Sequence, residues 1–192
     1  DYAGAENDLE GFIQQYPETV EAYDVLGKSR MKLKDFDGAI DSYNKIIAID
    51  PGYSEAYLNR GKLQAARGDY QSALLDLKKS ANLNSTNSQT MNLIGQTYMK
   101  MQRADSALYY LNQALQLNPT YAMALFNRAY LYTSMKSLGN ALKDYNKAID
   151  IKPGFGMAYK GRGIVHYWKG NFRKAYEDLV KARNLGAAVP ED

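Results

Sequence analysis

The chain has no cysteine, which excludes disulfides, thiolate catalysis and Cys-ligated metals, and leaves the cellular compartment open. It has a single histidine, His166, and a single tryptophan, Trp168, among 192 residues. No set of His, Cys and carboxylate residues has metal-ligand spacing. No Ser or Cys elbow accompanies the histidine, so it has no partners for general-base work. No apolar stretch reaches the roughly 18 residues that a membrane span needs. The net charge is a mild +3, and the basic residues are interleaved with acids rather than gathered in a run. That balance disfavours a nucleic-acid partner. Proline is scarce, at five, whereas tyrosine is frequent, at 17. The hydrophobic fraction of 45% is that of a folded chain rather than a disordered one. The sequence opens at Asp1 without an initiator Met or a signal-like segment, so an excised or processed piece is expected.

What the sequence does contain is itself, repeated. "DFDGAIDSYNKIIAIDP" (35–51) returns as "DYQSALLDLKKSANLNS", "RADSALYYLNQALQLNP", "SLGNALKDYNKAIDIKP" and "NFRKAYEDLVKARNLGA", each 34 residues after the last. Let slot one of each copy fall on Val20, Ser54, Ser88, Ala122 and Gly156. Slot four is then Tyr23, Tyr57, Met91, Leu125 and Tyr159, and slot eight is Gly27, Gly61, Gly95, Ala129 and Gly163. Slot 20 is Ala39, Ala73, Ala107, Ala141 and Ala175; slot 32 is Pro51, Ser85, Pro119, Pro153 and Ala187. Apolar residues recur at helical spacing over slots 1–14 and again over slots 17–30, so each repeat reads as two helices. "RGD" (67–69) and "KGN" (169–171) mark the break between them, and the slot-32 proline cannot continue the second.

The period, the large apolar slot four, the small slot eight, the alanine of slot 20 and the proline of slot 32 resemble the tetratricopeptide repeat family over about 170 residues. Ser85 and the polar run "NSTNSQT" (84–90) depart from it. The resemblance implies an all-α, right-handed solenoid of helix-turn-helix repeats. The expected organisation is one array over 1–192: a half repeat at 1–19, full repeats at 20–53, 54–87, 88–121, 122–155 and 156–189, and a tail at 190–192. In the half repeat Tyr2, Ala5, Leu9, Phe12 and Pro17 fall one period before Phe36, Ala39, Tyr43, Ile46 and Pro51. The open ends imply either more protein beyond them or pairing between copies, and the first is favoured.

Two constellations stand out. Arginine fills slot seven (Arg60, Arg128, Arg162) only where aspartate fills slot 23 (Asp76, Asp144, Asp178), which predicts three structural ion pairs. Slots 2, 5, 9, 12 and 13 lie opposite the packing face of the first helix, where the resemblance places a concave, partner-binding groove. In the first two repeats they are largely charged, as with Glu21, Asp24, Lys28, Glu55 and Lys62. In repeats four and five they are Met123, Phe126, Tyr130, Met157, Lys160, Ile164, Tyr167 and Trp168. Asn92 at slot five and Asn127 at slot six complete the candidate surface, since groove asparagines of the family can hold a ligand backbone. The Lys/Asn/Arg pattern with which some relatives grip a chaperone-tail carboxylate is absent. "GRG" (161–163) lacks the remaining glycines of a dinucleotide loop and lies within a helix. Asn84-Ser85-Thr86 matches a glycosylation sequon only formally.

The expectation is therefore a non-enzymatic scaffold without cofactor or metal. It binds a protein or peptide segment in its groove, mainly through repeats four and five. The alternatives are an assembly module that self-associates through its ends, or the targeting domain of a larger enzyme.

Overall fold

The structure, a computed structural model, describes residues 2–189. The side chains of Tyr2 and Ala5 and the tail 190–192 lie outside the described residues. The fold is all-α. Eleven helices occur among the described residues: α1 (Tyr2–Gln15), α2 (Val20–Leu33), α3 (Phe36–Ile49), α4 (Ser54–Ala66), α5 (Tyr70–Leu83), α6 (Ser88–Lys100), α7 (Ala104–Leu117), α8 (Ala122–Ser134), α9 (Leu138–Ile151), α10 (Gly156–Trp168) and α11 (Phe172–Asn184). The first helix of every repeat starts at slot one and the second at slot 17.

The chain falls into two compact units, 1–97 and 98–192. In the first, α2 packs on α3 and α4 on α5 as hairpins, while α1 lies against α2 and α3 against α4. In the second, α8 pairs with α9 and α10 with α11; α7 lies against α8, α9 against α10, and the first helices α8 and α10 also touch. Each unit has its own apolar interior. Tyr43, Ile46 and Leu77 are fully buried in one, and Leu111, Leu125, Tyr145 and Val165 in the other.

The turn inside each repeat is the same in all five copies. Its slot-15 residue takes the left-handed conformation, at φ 64°, 86°, 58°, 59° and 75° for Lys34, Gly68, Gln102, Lys136 and Gly170. Glycine does this without strain and appears twice; the other three copies hold a lysine or glutamine there at a modest steric cost. The fold thus dictates the turn and the local residue only tunes its cost. At the start of the second helix, Asp35 and Asp69 accept from the Gly38 and Ser72 amides at 3.0 and 3.1 Å, satisfying orphan donors of the first turn. In the polar run where the terminating proline is missing, Asn87 does the equivalent for α6, accepting from the Gln89 and Thr90 amides at 2.9 and 3.2 Å. Behind it the seam between α5 and α6 is polar as well: Ser80 Oγ and Thr90 Oγ1, both buried, lie 3.5 Å apart.

Glycine decides how closely the helices approach. A Cβ on Gly61 would lie 3.1 Å from the Ala73 carbonyl oxygen, and one on Gly163 would lie 3.2 Å from that of Ala175. At Gly161 a Cβ would overlap the Tyr145 ring, which is fully buried and cannot swing away. Gly161→Ala should therefore cost about 1–3 kcal/mol through overpacking. Gly139→Ala, whose Cβ would meet nothing within 4 Å, should be neutral or slightly stabilising. Thermal unfolding of the two variants checks both, at roughly 2–4 °C per kcal/mol for a chain of this size.

Candidate functional site

Three arginines organise the repeats that carry them. Arg60 Nε and Nη2 donate to Asp76 Oδ2 and Oδ1 at 2.7 and 2.8 Å. Arg128 does the same to Asp144 at 2.7 and 2.9 Å, and Arg162 to Asp178 at 2.8 and 2.7 Å. Each is a two-pronged guanidinium–carboxylate pair between the helices of one repeat. The aspartate side chains are only 3–9% exposed and the arginines 20–22%, so the pairs are largely withdrawn from water. The remaining prong reaches the preceding repeat: Nη1 donates to Asn44 Oδ1, Asn112 Oδ1 and Asn146 Oδ1 at 2.6, 2.7 and 2.7 Å respectively. The guanidinium carbons also stand over the rings of Tyr57, Tyr132 and Tyr159, at 5.8, 5.9 and 5.3 Å from the centroids.

The asparagines escaped sequence reasoning, although their signal is present. Each stands 16 residues before its arginine, just as each aspartate stands 16 after. The copies without the pair solve the problem differently. In repeat one, Arg30 at slot 11 donates to Gly38 O and Ser42 Oγ, both at 3.3 Å. At slot 23 of repeat three, Tyr110 stacks on Tyr98 with centroids 5.6 Å apart.

The candidate groove residues divide by exposure. Met123, Tyr130, Met157, Tyr167 and Trp168, on α8 and α10, are 38–60% exposed. Phe126 is half-buried, its ring 5.0 Å from Phe155 and 6.0 Å from Tyr145. Ile164 is half-buried too. Lys160 is half-buried, and its Nζ donates to the Ala188 carbonyl beyond α11. Tyr167 meets Phe172 edge-on at 5.6 Å, and Lys136 Nζ sits 3.7 Å above the Trp168 ring. Trp168 thus lies against the α8–α9 turn rather than standing free. Asn92 and Asn127 are buried, at 2% and 6% exposure. To meet a ligand backbone, either would have to leave its packed position.

His166 carries a buried Nδ1 with no hydrogen-bond partner among the described residues. Burial, followed by a counteracting attraction from Asp178 and then repulsion from Arg162, Lys174 and Lys169, leaves its pKa below the ordinary 6.5. Among the described residues no group of three His or carboxylate side chains is placed to hold a metal ion, and no helix is long and apolar enough to cross a membrane.

Comparison with known proteins bears on what this arrangement is for. Profiles of the tetratricopeptide repeat match residues 20–53 and 88–121, 122–155, and 42–74. The crystal structure of MamA is 32% identical, covering 84% of this chain and 94% of that one with a TM-score of 0.72. The chain belongs to the tetratricopeptide repeat family. Its solenoid fold recurs at lower identity in YrrB (22%, covering 92% and 91% of the two chains, TM-score 0.69), described as a TPR protein with an unusual peptide-binding site. It recurs again in the APC/C hetero-tetramer Cut9–Hcn1 (14%, covering 96% and 37%, TM-score 0.85). Comparison with curated sequences gave no match. As a tetratricopeptide repeat protein the chain is a protein–protein interaction module of a scaffold family that is typically non-catalytic.

Two outcomes are expected. Arg128→Ala leaves the buried Asp144 carboxylate uncompensated and should cost about 3–5 kcal/mol, whereas the Arg128→Ala/Asp144→Ala double variant should cost clearly less than the two single losses added. Chemical denaturation of the four proteins of that cycle measures the difference. For His166 the sign is that of a folded-state pKa lowered below the unfolded 6.5: the folded state resists protonation. Its contribution is intact above that value and is lost as pH falls below it. His166→Tyr, which installs the residue found at the same slot in Tyr98 and Tyr132, should flatten the melting temperature between pH 7 and 5 relative to the unaltered chain.

Proposed function

We propose that this chain is a non-enzymatic scaffold whose groove binds an extended or helical segment of a protein partner, chiefly through repeats four and five. One observation carries the reading. Five large apolar side chains, Met123, Tyr130, Met157, Tyr167 and Trp168, stand exposed on the neighbouring first helices α8 and α10. They occupy the non-packing stripe of those helices. Exposed apolar patches of this kind mark interaction sites, because leaving the area in water is costly and covering it is favourable. Tyrosine and tryptophan supply large rigid contact area and dominate binding energy where they occur. The methionines adapt to differing partner shapes. YrrB, which shares the fold, is described as having a peptide-binding site, and that supports the same use of the fold here.

The chemistry of the ligand follows from the stripe. It must offer apolar side chains at intervals that reach both helices, and no charge need be neutralised along Met123, Tyr130 and Met157. Lys136 over Trp168 is the one cation at this surface with an aromatic partner among the described residues, and it shields part of the indole. A ligand that covers Trp168 displaces Lys136 or packs over it. In the first two repeats the corresponding positions hold charged side chains, so a partner extending that way would turn polar. Lys28 there is already bonded to Asp24.

Phe126 separates binding from stability. Tyr130→Ala and Tyr167→Ala should abolish capture of selected peptides from a phage-displayed random library while leaving the unfolding free energy within about 0.5 kcal/mol of that of the unaltered chain, as exposed positions do. Phe126→Ala removes a ring packed on Phe155 and Tyr145 and should instead cost about 3 kcal/mol of stability. A Tyr130→Ala variant that melts early but still enriches the same peptides would assign the stripe to packing.

A further inference from the structure

The first repeat holds a carboxylate with an unused oxygen. Asp24, at slot five of α2, is 8% exposed. Lys28 Nζ, one turn further along the helix, donates to its Oδ2. Its Oδ1 is buried as well and has no hydrogen-bond partner among the described residues. Lys28 covers the carboxylate from the solvent side, its own side chain being 57% exposed. A carboxylate oxygen withdrawn from water and left without a donor is costly, more so than a neutral acceptor. The repeat does not demand it. Slot five is Leu58 in the next copy, similarly buried at 6%, and the half-buried Phe126 in the fourth. A leucine at position 24 would fill the slot without the cost.

Other charged groups gather round this carboxylate. Tyr53, just before α4, packs on the core that contains Tyr43 and Ile46. Burial raises the pKa of its hydroxyl; Asp24 raises it further, Lys28 opposes, and Glu55 and Glu21 add to the rise. On Tyr43 too, the Asp24 charge acts in the same direction as burial. Glu21, Asp24, Lys28 and Glu55 thus converge on Tyr53, all within the unit 1–97. Three carboxylates face one lysine. Glu21 and Glu55 are exposed, and Glu55 accepts from Ser54 Oγ at 2.9 Å. The slots of Asp24, Lys28, Tyr53 and Glu55 are filled by Phe126, Tyr130, Phe155 and Met157 three repeats later. The same groove position is therefore apolar in one half of the sequence and acidic in the other.

We infer that Asp24 receives an arginine side chain of the partner segment. A guanidinium presents two parallel N–H donors and fills Oδ1 and Oδ2 together, whereas an ammonium is a point charge that serves one oxygen at a time. The chain makes this contact three times within its own repeats, where Arg60, Arg128 and Arg162 each hold a nearly buried aspartate by both oxygens. At Asp24 only half of it is present. Lys28 keeps the place: when the ligand arrives, its flexible stem swings the ammonium toward Glu55, whose charge it already feels. Glu21 and Glu55 draw a cation toward the site. The inference rests on the groove reading proposed above and names the residue that a segment passing repeats one and two must carry.

The test follows backbone amide NMR shifts of the chain as an end-blocked Ala-Arg-Ala tripeptide is added, then its lysine and citrulline counterparts. The arginine peptide should move the amides of 20–30 and 52–56 saturably. It should bind on the order of tenfold more tightly than the citrulline peptide, which keeps the shape without the charge. The lysine peptide should fall between. Asp24→Leu should lose the response and melt higher than the unaltered chain; Asp24→Asn, which keeps the shape, should lose the response too. Lys28→Ala, with the competing ammonium gone, should bind the arginine peptide more tightly. Equal binding of arginine and citrulline overturns the inference, as does a response that survives both Asp24 variants or weakens in Lys28→Ala. A lower melting temperature for Asp24→Leu overturns it as well, since the carboxylate would then serve stability. The displayed library separates this from the groove reading. Peptides selected on the unaltered chain should carry an arginine that selection on Asp24→Asn does not retain, and Tyr130→Ala should leave the tripeptide titration unchanged. Peptides captured without arginine, with the tripeptide silent, sink the arginine site and leave the groove reading standing; a tripeptide response with no peptide captured does the reverse.

Discussion

The distance between two helix backbones governs the rest of this structure. At slot eight a glycine or alanine faces the backbone at slot 20, where every copy has alanine and every alanine is buried. Nothing larger fits at Gly61 or Gly163 without pushing on a carbonyl oxygen of the partner helix. Close approach lets Leu77, Leu111 and Tyr145 of the second helices reach complete burial. It also brings slot seven within two hydrogen bonds of slot 23. The ion pairs, the aromatic stacking and the exposed stripe on the far side of the first helix all follow from that spacing.

The arginine clips show how a repeat protein joins neighbouring units with a single side chain. A guanidinium has five donors in a rigid plane, enough to hold a carboxylate with two and an amide oxygen of the previous repeat with a third. Lysine at the same slot would lack the planar fork that holds both carboxylate oxygens at once. The third copy abandons the device as a whole: Ile94 replaces the arginine, Tyr110 the aspartate and Lys78 the asparagine of the copy before. An isolated arginine there would be a buried cation without a counter-ion, so the substitutions come together. In this copy Tyr110 instead stacks on Tyr98.

Function in such a fold resides in what the packing leaves uncovered. The slot-20 alanine is the same in every copy, whereas the exposed stripe changes from charged in the first two repeats to aromatic and methionine-rich in the last two. Where burial is complete the side chain must be apolar, as Tyr43, Leu77 and Leu111 are, or partnered, as Asp144 is; where it is not, the choice is free.

Much of this was legible in the sequence because a strict 34-residue period repeats the same physical test five times. Helix starts, the slot-eight approach and the matched Arg and Asp could each be read by comparing copies. Other features could not. Asn44, Asn112 and Asn146 belong to the clips only because the preceding repeat lies beside the guanidinium, a contact that no single repeat contains. Asn92 and Asn127 sit at slots that read as exposed, yet both are buried. Phe126 and Trp168 look alike on a helical wheel, but one ring packs on Phe155 and the other lies under Lys136. Periodicity reports which way a side chain leaves its own helix. Whether it then meets water or another helix depends on the tertiary arrangement, which here buried the asparagines and left the tyrosines exposed.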